Sequence, residues 1–162
     1  LVKEHPSQFM WQTEGELGRW DGYYEELQQI DSVDLVPLEV TSSALIEHAT
    51  AVVTITGTVG WEACLAGAPT IVLAQPWYAG EEVVLFAHDT ESLREAFALI
   101  VAGWQCDPAH LDAHIARLER VGRRCYLNPS HGPLYEDISE EENVANLTEL
   151  FVSSSKLMEK AS

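Results

Sequence analysis

The sequence predicts an α/β protein, a single Rossmann-like domain with a parallel sheet. Three observations favour this class. Apolar, β-branched runs alternate with amphipathic segments along the 162 residues. Residues 51–55 form one such run, typical of a parallel strand covered on both faces. A glycine-containing turn at 56–60 is then followed by a helix, which fits a right-handed βαβ crossover between parallel strands. The predicted strands are residues 1–4, 33–36, 51–55 and 70–73.

Composition limits the classes of function. With 46% hydrophobic and 22% charged residues, the chain can build a core. Its net charge of −17 argues against general nucleic-acid binding, because phosphate backbones would be repelled. The three cysteines, Cys64, Cys106 and Cys125, lack metal-pair spacing, so we expect a reduced, cytoplasmic compartment and neither a metal nor a cofactor. No apolar run is long enough to span a bilayer.

The first predicted strand, residues 1–4, is stopped by Pro6, so His5 lies at its carboxyl end. Carboxyl ends of parallel strands share one rim, and His5 is therefore expected on the same rim as Gly57. A lone histidine is more often a bystander, yet one at this place can donate a hydrogen bond to phosphate. The abrupt opening on a strand predicts a preceding domain.

The next segments are a loop at residues 9–18, a helix at 19–30 and the strand at 33–36. Aromatic and aliphatic residues recur every three or four positions in the helix, which predicts that they pack in the core.

Hydroxyl residues open the following helix. Thr41, Ser42 and Ser43 precede an apolar segment, as an N-cap does. The cap explains one hydroxyl, whereas successive hydroxyls beside free N–H groups also make a phosphate site. For this segment taken alone, capping is the favoured interpretation.

The central helix is predicted at residues 61–65, with Gly67 as its C-terminal stop and Pro69 before the strand at 70–73. Because that strand is parallel to its neighbour, residues 75–78 are expected on the rim that carries the glycine turn.

The turn itself supplies candidate ligand-binding groups. Gly57 and Gly60 lack a Cβ and allow backbone N–H groups to approach a ligand, and Thr58 adds a hydroxyl. Glu62, one turn into the helix, is placed to accept the hydroxyls of a ribose diol. The structural alternative is an acidic residue that complements the helix dipole.

The remaining elements have clear start signals. A further strand is predicted at 83–86, and Thr90 is predicted to cap the helix that follows. Asp107, followed by proline, begins another helix, and Ser139 begins a capping box for the last one. Two prolines predict a break at 128–132.

Two charged features lie on the helix after Asp107. His110 and His114 are one turn apart, as metal ligands can be, but no third ligand is evident and no metal site is predicted. Four arginines are clustered, which favours a solvated helix face over contact with anionic lipid or a partner. They are Arg117, Arg120, Arg123 and Arg124.

Five motifs occur in a familiar order: Lys-Glu-His-Pro at 3–6, Thr-Ser-Ser at 41–43, Thr-Gly-Thr-Val-Gly-Trp-Glu-Ala at 56–63, Gly-Ala-Pro-Thr at 67–70 and Pro-Trp-Tyr at 76–78. The set resembles the C-terminal half of bacterial capsule polysaccharide synthesis proteins, the family that contains Kdo transferases. The resemblance implies a GT-B glycosyltransferase with two Rossmann-like domains, of which the second binds most of the donor.

The resemblance also implies roles for individual residues. His5, Ser42 and Ser43 would contact the donor phosphate, the loop at 57–60 would approach the nucleotide, and Glu62 would hold the ribose. A similar His-Pro and Ser-Ser combination in bacterial sialyltransferases makes a CMP-sugar, Kdo-like, the expected donor substrate. On this basis residues 1–162 are one donor-binding domain.

The family carries its acceptor site and catalytic carboxylate on an N-terminal domain. This chain is therefore expected to bind donor without turning it over, and no catalytic residue is assigned to it. The implied partners are a nucleotide-sugar and, through the other domain, a glycan or glycolipid acceptor in the cytoplasm or peripherally at the inner membrane. Two alternatives stay open: an epimerase-like half that binds a UDP-sugar, and a non-catalytic nucleotide-binding module.

Overall fold

A computed structural model describes residues 1–5, 19–128 and 137–161, with side chains described as far as Val152. The predicted loop at 9–18 lies outside these residues, and so does most of the predicted break at 128–132. The described residues fall into two compact units. One lies within residues 1–77 and 84–105, the other within 78–83 and 106–162.

The first unit contains a three-stranded parallel sheet. Its strands are β1 (Val52–Thr54), β2 (Thr70–Val72) and β3 (Leu85–Phe86), in the order β1-β2-β3. Val53 lies opposite Ile71 in the register of the first pair. The parallel α/β class predicted from sequence is confirmed.

Four helices belong to the same unit: α1 (Tyr23–Gln28), α2 (Ser42–Ile46), α3 (Val59–Leu65) and α4 (Thr90–Val101). Gly67 ends α3 as predicted, with a φ of 77° and its N–H bonded to the Cys64 carbonyl at 3.0 Å. The predicted N-cap of α4, Thr90, is wrong by one residue, because the observed N-cap is Asp89. Asp89 caps it through a 2.8 Å bond from the Ser92 N–H, because its carboxylate is the better acceptor.

The core of this unit lies between β2 and α4. It consists of Ile71, Ala87, Ala96 and Ile100, all buried. Partly buried Ala51, Leu85, Leu93 and Trp104 pack around it. The apolar residues predicted on α4 therefore divide: Leu93 and Ile100 pack in this core, whereas Phe97 and Leu99 are 43% and 48% exposed.

The predicted strands at 1–4 and 33–36 are reduced to one parallel bridge between Val2 and Leu35. Two backbone hydrogen bonds of 2.8 Å, from the Val2 N–H to the Asp34 carbonyl and from the Val36 N–H to the Val2 carbonyl, hold it. Neither segment belongs to the three-stranded sheet.

The expectation that residues 51–55 are covered on both faces is also wrong. β1 is an edge of the described sheet, with Val53 43% and Ile55 64% exposed. β2, which has a neighbour on each side, is the strand that is buried throughout. An apolar run alone does not distinguish an edge strand from a central one.

The aromatic residues of the predicted 19–30 helix do not enter the core. α1 is shorter than predicted because Gly22, at φ 91°, precedes it, and none of its residues is buried. The rings contact one another instead: Trp20 meets Tyr23 edge-on at 4.9 Å, and Tyr23 meets Tyr24 at 5.1 Å. Edge-to-face contacts of this kind stabilise a surface cluster.

The second unit contains α5 (Pro108–Val121) and α6 (Glu140–Ala161). Asp107 caps α5 as predicted, accepting the Ala109 N–H at 2.8 Å, and Ser139 accepts the Glu142 N–H at 3.1 Å before α6. Buried Asn143 joins α6 to the preceding segment: its amide accepts the Tyr126 N–H at 2.8 Å and donates to the Tyr126 carbonyl at 3.1 Å.

None of the three cysteines, all of which lie among the described residues, forms a disulfide. Within the described ranges, no helix combines the length and the apolar character that crossing a bilayer requires.

Replacement of Val72, which is 0% exposed on β2, should test whether this strand carries the stability of the first unit. We expect Val72→Ala to lower the free energy of unfolding by about 1.5–3 kcal/mol, because buried methyl groups are lost and a cavity remains. Val101→Ala, at a position 87% exposed, is the matched control and should change it by less than about 0.5 kcal/mol. Urea unfolding followed by circular dichroism measures both, and equal effects would contradict the assignment.

Candidate functional site

The turn after β1 is closed by a threonine side chain. The N–H of Gly57 donates to Thr54 Oγ1 at 3.1 Å, and the N–H of Gly60 donates to the Gly57 carbonyl at 3.1 Å. A Cβ on Gly57 would lie 2.9 Å from Thr54 Oγ1, closer than side chains approach. Any larger residue at this position would have to displace the Thr54 hydroxyl that closes the turn. The role of Thr54 was not predicted, although its hydroxyl lies near the end of a predicted strand and three residues before a glycine.

Thr58 and Glu62 open α3 with polar groups that the helix does not use. Thr58 occupies the N-cap position, yet its side chain makes no capping hydrogen bond. The exposed Glu62 carboxylate has no hydrogen-bond or ion-pair partner among the residues that the structure describes. Its backbone N–H donates to the Thr58 carbonyl at 3.0 Å. Both side chains can therefore contact a ligand, and the position of Glu62 in the first turn also suits the helix dipole.

The capping role at the start of α2 belongs to Thr41. Its Oγ1 accepts the Ala44 N–H at 3.2 Å and lies 3.1 Å from Ser43 Oγ. The predicted hydroxyl cap is confirmed and uses one hydroxyl of the three. Ser42 is half-buried and Ser43 is exposed. Because α2 packs against α3, the serine segment and Glu62 are carried by neighbouring helices.

His5 is exposed and is positioned by a different set of contacts. Glu4, directly before it, accepts hydrogen bonds from Arg19 Nη2 at 2.6 Å, Arg19 Nε at 3.0 Å and the Tyr24 hydroxyl at 3.4 Å. The hydrogen bond to Glu4 raises the pKa of Arg19, and burial raises the pKa of Tyr24. The Arg19 guanidinium also lies 5.1 Å from the centre of the Tyr23 ring. This cluster fixes the backbone beside His5, and no sequence pattern indicated Arg19.

Two tryptophans meet at the start of α3. Half-buried Trp61 belongs to α3, and Trp77 follows β2 with 61% of its surface exposed. Their ring centres are 5.5 Å apart and the ring planes are inclined at 59°. The contact supports the prediction that residues 75–78 lie beside the glycine turn. No sequence pattern indicated this pair, because the two residues are far apart in the chain.

The two histidines of α5 have separate roles. Buried His114 places Nε2 2.9 Å from the Tyr78 carbonyl, which can only accept, so Nε2 carries the proton. Its Nδ1 then accepts from Arg117 Nη2 at 2.7 Å. Both ring nitrogens are thus engaged by protein groups. His110 Nε2 instead lies 3.6 Å from Glu82 Oε2. The described residues contain no group of three histidine, cysteine or acidic side chains suited to a metal.

The arginine cluster is likewise engaged within the second unit. Besides Arg117, Arg123 donates to Glu149 at 2.6 Å, and Arg124 forms a two-pronged pair with Asp137. The bond to Glu149 raises the pKa of Arg123, and the Arg123 guanidinium lowers the pKa of Glu149. These contacts explain three of the four arginines without an external anion.

The proteins similar to this chain are capsule polysaccharide proteins. The family model described as capsule polysaccharide biosynthesis protein matches residues 1–90. The capsule polysaccharide modification protein LipA of Neisseria meningitidis serogroup B is 32% identical over 79 residues, 49% of this chain and 10% of that protein. LipA of serogroup A gives the same figures. The aligned part thus spans about a tenth of these curated relatives. No solved structure matches the chain significantly.

Thr54 offers a test of how the turn is held. Thr54→Val keeps the shape and β-branching but removes the acceptor of the Gly57 N–H, which should cost about 0.5–1.5 kcal/mol and raise the hydrogen-exchange rate of that amide. Thr54→Ser keeps the hydroxyl and is the matched control. Amide exchange followed by NMR measures the effect. Unchanged protection of Gly57 in Thr54→Val would contradict the role given to Thr54.

Proposed function

This chain belongs to the capsule polysaccharide biosynthesis protein family, and from that premise we propose that it binds the nucleotide-activated sugar of a glycosyltransferase. The preferred donor is a CMP-activated acidic sugar of the Kdo type. The observation that carries the proposal is the packing of α2 against α3, which places the exposed Ser43 and Glu62 side chains on neighbouring helices beside a glycine turn. The family match at residues 1–90 includes every residue proposed to contact the donor.

The ribose is assigned to Glu62. A carboxylate accepts hydrogen bonds from both hydroxyls of a diol, and such charge-assisted bonds are worth about 1.5–3 kcal/mol each. The Glu62 carboxylate is exposed and needs no rearrangement of a described contact to do so.

The phosphate is assigned to local donors. At a net charge of −17 the long-range field of the chain repels an anionic nucleotide, so attraction has to come from groups at contact distance. The hydroxyls of Ser42 and Ser43, the imidazole of His5 and the hydroxyl of Thr58 are such groups, whereas the N–H of Gly57 is already donated to Thr54. Gly60, buried within the turn, keeps the backbone compact.

Sugar transfer needs two further components: an acid or base at the acceptor and stabilisation of the departing phosphate. The residues proposed here supply the second. We assign the first, together with the glycan or glycolipid acceptor, to another domain of the same enzyme, as the family resemblance implies.

Calorimetric titration with CMP tests the phosphate assignment. His5→Ala and Ser43→Ala should each weaken binding by roughly tenfold, the loss of one charge-assisted hydrogen bond. Because Thr41 holds the cap, Ser43→Ala leaves α2 capped.

His48→Ala and Thr50→Ala are matched controls, since both side chains are exposed and precede β1 at the end opposite the turn. They should bind CMP as the parent does. Equal binding by the parent, His5→Ala and Ser43→Ala would refute the phosphate assignment, and a clear preference for UDP over CMP would favour the epimerase-like alternative.

Glu62→Gln separates a ribose contact from a dipole role. The amide keeps the shape and loses the charge, so we expect CMP affinity to fall by about 1.5–3 kcal/mol with the fold intact. The parent should discriminate against 2′-deoxy-CMP and the variant should largely lose that discrimination. Glu95→Gln, on the exposed side of α4, should leave both affinities unchanged. If the parent and Glu62→Gln discriminate equally between CMP and 2′-deoxy-CMP, Glu62 does not contact the ribose and only complements the helix dipole.

A further inference from the structure

The contact between Trp61 and Trp77 has no part in the donor contacts assigned above. Trp77 keeps 61% of its surface exposed although the residues on either side of it, Pro76 and Tyr78, are buried. The backbone of Trp61 is likewise held in place, because Ala63 and Cys64, which follow it in α3, are buried. Both tryptophans are therefore attached to backbone whose neighbouring residues are buried, and together they present an indole surface to solvent.

We propose that Trp61 and Trp77 form the surface on which the base of the donor nucleotide stacks, an inference that rests on the proposed donor-binding function. Bases stack on aromatic side chains through their π-faces, whatever the identity of the base. The ring planes are inclined at 59° with centres 5.5 Å apart, so the two rings do not cover each other face to face.

The covalent structure of a nucleotide selects the base as the occupant. Trp61 directly precedes Glu62 on α3, and Glu62 is assigned the ribose hydroxyls. The base is attached to the ribose carbon next to the one that carries the 2′-hydroxyl. A nucleotide whose ribose lies at Glu62 therefore carries its base within reach of the neighbouring indole rings. A polar, charged phosphate would gain little from the same surface.

Calorimetry with CMP and intrinsic tryptophan fluorescence test this inference together. We expect Trp77→Ala to weaken CMP binding by about tenfold, which is a stacking loss of about 1.4 kcal/mol. Trp77→Phe keeps an aromatic ring and should stay within about threefold of the parent, while the quenching of fluorescence by CMP decreases. Phe97→Ala is the matched control, since Phe97 is an aromatic residue of α4 that is 43% exposed and has no part in the proposed site. It should retain the affinity and the quenching of the parent.

Three other outcomes would overturn the inference, and each points to a different cause. If the parent binds CMP and Trp77→Ala binds it equally well, stacking is refuted and donor binding stands. If Trp77→Ala and Phe97→Ala lose affinity equally, the loss is a general effect of removing a surface aromatic ring. If the parent binds no CMP while circular dichroism shows it folded, the donor-binding function fails and the base surface fails with it.

Discussion

The burial of β2 is the constraint on which the first unit depends. Thr70, Ile71 and Val72 are all 0% exposed, with a parallel strand on each side and α4 packed against the core beneath them. A hydroxyl buried at this depth has to be hydrogen-bonded. Thr70 Oγ1 lies 3.2 Å from the Ala68 carbonyl and 3.4 Å from the Gly60 carbonyl, both of which accept. The contact with Gly60 ties the strand directly to the glycine turn.

The geometry of the candidate site follows from that attachment. β2 holds the turn through Thr70, β1 holds it through Thr54, and α3 begins where the turn ends. Polar side chains that the fold does not use, such as those of Thr58 and Glu62, are then carried on a rigid frame. Rigid placement matters in so acidic a chain, because an anionic ligand is attracted only by groups at contact distance.

In the second unit, the histidine and arginine side chains are also held by contacts within the protein. His114 is held between the Tyr78 carbonyl and Arg117, and a Cβ on Gly80 would lie only 2.9 Å from the histidine ring. A histidine with both nitrogens engaged and a ring against glycine acts as a packing residue. His114 and three of the four clustered arginines are therefore held by contacts within the protein.

The sequence by itself determined the parallel α/β class, the starts of α2 and α5 and the end of α3, because caps, glycines and apolar periodicity act through local geometry. It also placed the glycine turn and Glu62 correctly at the start of a helix. Only the tertiary structure decided which strand is central, that the rings of α1 stay on the surface, that Thr54 closes the glycine turn, and that Trp77 contacts Trp61. These facts depend on contacts between residues distant in the chain, and a local pattern carries no information about such partners.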